Sequence, residues 1–288
     1  MNKNIFPFLA IIMILLYLLS FVIEIKNNSV NFIRTAILNP SKADLLTDFE
    51  LQQNENFLKF YKLNGIWFCE KNNISYPTDQ NQVNKFINNL KKCIKMYKIS
   101  YSNDDFLLYF NKNSFFSLTY LLSDFEKSKT EILFGPCDFS NTKRIIKIMS
   151  SDSYFKTEDI FGSFLSADIN FWIDPYIIPA SFSEKKEDKE ISRVVFVTDV
   201  LSKAIESSND YAVSRLKLLR HGKIFTGNLE ELKKIGIIKI EYDYGDGLCI
   251  NVFDDGNGGY VLNYQNVLFN YSVCISEWTF LNLNKLFD

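Results

Sequence analysis

The longest uninterrupted apolar stretch in the chain is residues 5–23, IFPFLAIIMILLYLLSFVI, which carries no charged side chain. A helix over it would be about 28 Å long at about 1.5 Å per residue, close to the hydrocarbon thickness of a bilayer. The pattern therefore predicts a transmembrane anchor over residues 1–25. Pro7 does not oppose this, because near the first turn of a helix its missing N–H has no partner to lose. A cleaved signal peptide needs an apolar core of roughly 7 to 15 residues and a small-residue exit. Phe21, Val22, Ile23, Glu24 and Ile25 follow here instead, with no cysteine for lipid attachment. Lys3 on one side and Lys26 and Arg34 on the other leave the charge rule for orientation nearly silent. The short tail ahead of the run places the remaining residues outside the cytoplasm, with the chain crossing once.

Beyond the run the period changes. Residues 49–53 and 57–61 are β-prone and separated by Asn54, Glu55 and Asn56, and Asn64-Gly65 turns into a third strand at 66–69. Asn-Gly supplies the positive φ values of a two-residue hairpin, so a three-stranded antiparallel meander is predicted. Tyr76, Pro77, Thr78 and Asp79 close it and start a helix, with Thr78 as the N-cap and Asp79 near the positive end of the dipole. Val83, Phe86, Ile87, Leu90 and Ile94 make one apolar stripe opposite Asn84, Asn88, Lys91 and Lys95. Strands are expected next at 106–110, 115–122, 131–134, 144–148 and 155–160, then a turn or short helix at 160–165. The aromatic stretch at 170–179, NFWIDPYIIP, reads as an extended core anchor.

The charged stretch 183–190 is the clearest linker and divides residues 26–182 from a second subdomain at 191–288. That subdomain opens on a strand at 191–198. An apolar-periodic stretch at 213–219 and a short helix at 228–234 closed near Gly236 follow. Residues 237–242, 248–253 and 259–263 form another meander, and Ser276 caps a last helix with Phe280, Leu283, Leu286 and Phe287 on its stripe. The expected fold class is α+β: one N-terminal transmembrane helix, then antiparallel β-meanders each packed with an amphipathic helix. The order of strands, glycine-aromatic step and capped helix recurs in both halves, as a duplicated unit or as chance similarity.

Composition narrows the function. Hydrophobic content of 47% and aromatic content of 16% describe a folded body. With 32 basic and 34 acidic residues the net charge is −2, so no nucleic-acid partner is expected. Cys69, Cys93, Cys137, Cys249 and Cys274 are widely spaced and form no CxxC pair, which suits small buried apolar residues better than a metal or redox site. His221 is the only histidine, and Arg220, Gly222 and Lys223 around it suggest a basic turn. Asp254, Asp255 and Asn257 lack the spacing and the distal Glu of a calcium loop and read as a hairpin turn. The neighbouring pairs Asp104-Asp105 and Glu230-Glu231 fall at a turn or on a solvated face. Trp172, Phe171 and Tyr176 read as core before they read as a sugar-stacking patch. Neither GxxxxGK nor GxGxxG occurs. No catalytic, cofactor-binding or metal residue is assigned, and no enzyme activity is expected.

AILNP at 36–40, NGIWF at 64–68, YPTD at 76–79 and GPCDFSNTKR at 135–144, in that order behind an apolar N-terminus, resemble a bacterial family of unknown function encoded beside gliding-motility-type ABC transporter components. LKLLRHGKI at 216–224 and ISEWTF at 275–280 resemble its spirochaete members. The resemblance implies a non-enzymatic auxiliary subunit in the bacterial inner membrane, crossing it once, with its main domain in the periplasm. Its partners would be a permease, a separate ATPase chain and a related auxiliary subunit. An anchored envelope hydrolase and a lipid- or sugar-binding module with an apolar pocket between the halves are the competing expectations.

Overall fold

The computed structural model describes residues 12–17, 32–99, 116–123, 128–151, 153–179, 190–243, 247–266 and 269–288. Of the apolar run at 5–23, residues 12–17 are helical and exposed, and the rest lies outside the described residues. Among the described residues no helix is long and apolar enough to cross a membrane. The expected single-pass transmembrane helix, and the inner-membrane and periplasmic placement built on it, are corrected on that ground.

The α+β expectation is corrected as well, because antiparallel β-structure dominates. The first half supplies β1 (Phe32–Thr35), β2 (Leu46–Gln53), β3 (Asn56–Leu63), β4 (Ile66–Lys71), β5 (Ile74–Pro77), helix α1 (Gln80–Lys91) and β6 (Ile94–Ile99). β7 (Phe116–Leu122), β8 (Lys129–Cys137), β9 (Lys143–Ile148), β10 (Ser153–Glu158) and the one-turn helix α2 (Ile169–Trp172) follow. The strands form one ten-stranded sheet in the order β1-β6-β10-β9-β8-β7-β2-β3-β4-β5. The second half contains β11 (Ile191–Val197), β12 (Ser202–Glu206), α3 (Asp210–Leu218), β13 (Lys233–Tyr242), β14 (Leu248–Asp254), β15 (Gly259–Gln265), β16 (Asn270–Ser276) and α4 (Glu277–Lys285). Its sheet has six strands in the order β12-β11-β13-β14-β15-β16. Each sheet ends in a consecutive four-stranded meander followed by a helix, β2-β3-β4-β5 with α1 and β13-β14-β15-β16 with α4, while the remaining strands differ in number and order.

Local chemistry explains the elements. Asn64 at φ 53° and Gly65 at φ 87° turn β3 into β4, which only residues tolerant of left-handed backbone allow. Phe49 on β2 lies directly opposite Phe60 on β3, and their rings stack at 4.3 Å. Helix α1 buries Val83, Phe86, Ile87 and Leu90, each contributing roughly 1.5–3 kcal/mol of transfer free energy. Its N-cap is Asp79, which accepts from the Gln82 N–H at 3.1 Å. Thr78 is drawn elsewhere: it is fully buried and its hydroxyl donates to the Trp67 carbonyl at 2.8 Å. Ile94 leaves the helical stripe and opens β6 opposite Thr35, because Ile94 and Met96 are buried at a period of two.

In the second half the helix expected at 228–234 shrinks to a single 3-10 turn, Leu229–Glu231, capped by Asn228. β13 then runs through Gly236, where its register with β14 shifts. A Cβ at Gly236 would lie 2.7 Å from the Phe196 ring, so this bulge requires glycine. The strand expected at 106–110, the Asp104-Asp105 pair and the linker stretch 183–189 lie outside the described residues.

Candidate functional site

Two places stand out, the seam between the sheets, which gathers residues that sequence singled out, and a groove between α3 and α4, which sequence did not indicate. At the seam, residues 169–179 run between β5 and β16. Asp79 N–H donates to the Trp172 carbonyl and Asp174 N–H to the Pro77 carbonyl, both at 2.9 Å. On the other side Ile177 N–H donates to the Leu219 carbonyl at 2.9 Å, and the Tyr264 hydroxyl donates to the Ile177 carbonyl at 2.8 Å. Tyr264 stacks on Tyr271 at 4.6 Å, and Tyr271 meets Tyr76 of β5 at 5.4 Å. Tyr76, Tyr264 and Tyr271 thus join the two halves through ring contacts. Trp172 is fully buried, as the core reading of that stretch anticipates.

His221 is a structural residue of the same seam. Its backbone N–H donates to the Pro175 carbonyl at 3.0 Å. Its ring nitrogens lie 2.6 Å from the Asp174 carbonyl and 2.8 Å from the Gly222 carbonyl. Residues 222–225 beyond it hydrogen-bond along the free edge of β16 and cover it. Burial pushes the imidazole below its ordinary value of 6.5, and the Gly222 and Asp174 carbonyls only partly oppose this. The unfolded chain therefore takes the proton first as pH falls. The stability contributed by neutral His221 is complete above 6.5 and is lost as the pH drops from there through the folded value. Melting temperature should fall between about pH 7 and about pH 5, and His221→Gln should remove that part of the slope. An unchanged slope in the variant would assign it to other groups.

The other sequence candidates separate. Asp254 and Asp255 accept backbone N–H bonds from Gly256 and from Asn257 and Gly259, at 2.8–2.9 Å, which makes them turn residues. Glu230 and Glu231 sit in the 3-10 turn before β13. All five cysteines are free; Cys69 is buried and Cys93 exposed. Among the described residues no group of three His, Cys, Asp or Glu side chains converges as metal ligands.

The groove was not legible from spacing. Asn209 caps α3 by accepting from the Ala212 N–H at 3.1 Å, and Ser276 caps α4 by accepting from the Thr279 N–H at 3.1 Å. Each helix turns one face inward, Ala212 and Leu216 from α3 and Thr279 and Leu283 from α4. Between them lies an open groove of about 600 Å³. Trp278, Tyr211 and Leu218 border it at 71%, 69% and 62% exposure. Arg215, Arg220 and Lys285 add positive charge, and no carboxylate lines the groove among the described residues. Arg215 lies 5.6 Å over the Tyr211 ring and Arg220 5.2 Å over the Tyr176 ring, which keeps the cations beside aromatic surface. The signal that could have revealed it is the set of outward apolar residues on two short capped helices, Leu218 on one and Trp278 on the other.

No known protein family matches the chain, and no characterised protein is significantly similar to it.

Proposed function

We propose that this protein is a non-enzymatic auxiliary subunit of an ABC-type transport or export complex, and that it holds its partner in the groove between α3 and α4. The observation that carries this reading is Trp278, exposed beside Tyr211 and Leu218 in a setting of Arg215, Arg220 and Lys285. Trp, Tyr and Arg dominate the binding energy of protein interfaces, since they bury large area while keeping a polar handle. Exposing them together is costly in water unless a partner covers them. The unopposed cations select an acidic segment bearing apolar anchors. The sequence resemblance described above supports the permease or the separate ATPase chain as its owner.

Affinity purification of the tagged chain should recover a permease or ATPase of an ABC transporter, identified by mass spectrometry. Trp278→Ala combined with Leu218→Ala should lower that recovery about tenfold while leaving the circular dichroism spectrum unchanged, because both side chains point to solvent. Recovery of neither component, or equal recovery by the double variant, refutes the proposal.

A further inference from the structure

The net charge of −2 conceals a local separation of charge at the β1 end of the ten-stranded sheet. There β1, β6, β10 and β9 lie side by side, and one outward face carries Phe32 and Arg34, then Lys95 and Tyr97, then Lys156 and Glu158, then Lys143. Residues directly opposite on antiparallel strands share a face with Cβ atoms about 5 Å apart. Arg34 is directly opposite Lys95, a like-charge pair that sheets normally avoid. Lys143 is opposite Glu158, the one carboxylate lining the adjoining cleft among the described residues. Lys92, from the turn after α1, completes a ring of four cations around a cleft of about 500 Å³.

Aromatic rings hold the cations in place. Lys95 sits 5.5 Å over Phe32 and Lys143 5.9 Å over Tyr97, and the two rings are 5.9 Å apart. Lys156 reaches outward to Asp138 at 3.8 Å and so keeps that carboxylate beside a cation of its own. The cleft has the volume of a small-molecule site, and Glu158 offsets only part of the positive charge of its four cations.

We propose that this cleft binds a small multivalent oxyanion of the phosphate or pyrophosphate class through Arg34, Lys92, Lys95 and Lys143, with Tyr97 forming part of its wall. Two oxygens of such a ligand can meet Arg34 and Lys95 together, so that the like-charge pair becomes a two-pronged clamp. Glu158 opposes the ligand and limits its affinity. The site lies on the other sheet from the α3–α4 groove and does not depend on the groove's role.

Calorimetric titration of the full chain with inorganic pyrophosphate tests this. Saturable binding should weaken as salt is raised, since the contacts are exposed charges. Arg34→Gln and Lys95→Gln, which keep side-chain length and strand propensity, should each weaken it about tenfold. Glu158→Gln should tighten it. Pyrophosphate should also slow alkylation of Cys93, the exposed thiol lining the cleft, with no change at Cys249 or Cys274. Absence of saturable binding, or binding indifferent to both charge-removing variants, overturns the proposal. So does tighter binding of a single-stranded oligonucleotide with affinity that grows with its length, which would make the face a nucleic-acid surface instead.

Discussion

Trp172→Ala should lower the unfolding free energy by about 3–5 kcal/mol, the range for removing a fully buried large aromatic side chain. The side chain is completely enclosed. Its ring meets Phe60 edge-on at 5.0 Å, Phe86 at 5.7 Å and Phe171 at 5.0 Å, so its loss opens a cavity against the sheet, the helix and its own segment together. The indole N–H donates to the Ser166 carbonyl at 2.7 Å, and that acceptor would lose its partner. The Trp172 carbonyl also accepts the Asp79 N–H, so a shift of this residue loosens the N-terminus of α1. Urea denaturation followed by circular dichroism should show a lower midpoint with an unchanged m-value. Trp172→Phe should recover part of the loss. A change under about 1 kcal/mol in the alanine variant would mean that this residue is not the centre of the core.

Asp159→Ala should cost a similar amount, about 3–5 kcal/mol, because it strands a buried cation. The Asp159 carboxylate accepts two bonds from Arg144 at 2.9 Å, one from the Cys137 thiol at 2.9 Å, and backbone N–H bonds from Phe161 at 3.3 Å and Gly162 at 2.9 Å. Arg144 and Asp159 side chains are 13% and 7% exposed, so water cannot replace these bonds. A Cβ at Gly162 would lie 2.5 Å from the carboxylate, which is why a glycine stands there. Burial by itself would raise the Asp159 carboxyl, but the bonds from Arg144 and Cys137 outweigh it and hold it below its ordinary value of 3.8. The stability it contributes is therefore present above 3.8 and lost as pH falls through the lower folded value. Burial, and then the bond to Asp159, push the Cys137 thiol up to about 11, so it remains a protonated donor at neutral pH. In acid titrations the variant should lose the part of the unfolding transition that the wild type shows below 3.8. Identical acid transitions would show that the Asp159 carboxyl titrates alike in the folded and the unfolded chain.

These residues show how far sequence reasoning reaches. Trp172 reads as core because an aromatic stretch of that density has no other stable place. Asp159 carries no such sign: Arg144 and Cys137 reach it only once β8, β9 and β10 pair. His221 is recognisable as a turn residue and one ring nitrogen meets the neighbouring Gly222 carbonyl, yet the partner of the other, the Asp174 carbonyl, is forty-seven positions away. The docking groove and the oxyanion cleft escape sequence reading for the same reason. Leu218 and Trp278 are sixty residues apart in a chain whose helices are short, and Arg34, Lys95 and Lys143 come from three strands. The apolar run at 5–23 is the opposite case. Its hydropathy is plain, and it led to a bilayer-spanning helix that the described residues do not contain.

What the sequence determined by itself is local: the hairpin at Asn64-Gly65, the buried face of α1, the cap at Ser276 and the alternation that makes β14 and β15 strands. Each depends on backbone preferences and side-chain periods within a few residues, where sequence separation and spatial separation are the same. Only the tertiary structure decided that β6 leaves its helix to join β1 and β10, that β2 pairs with β7, and that the two sheets meet through tyrosines. Those choices follow from burying apolar faces across long loops, and the free energy of such burial depends on area and not on order along the chain.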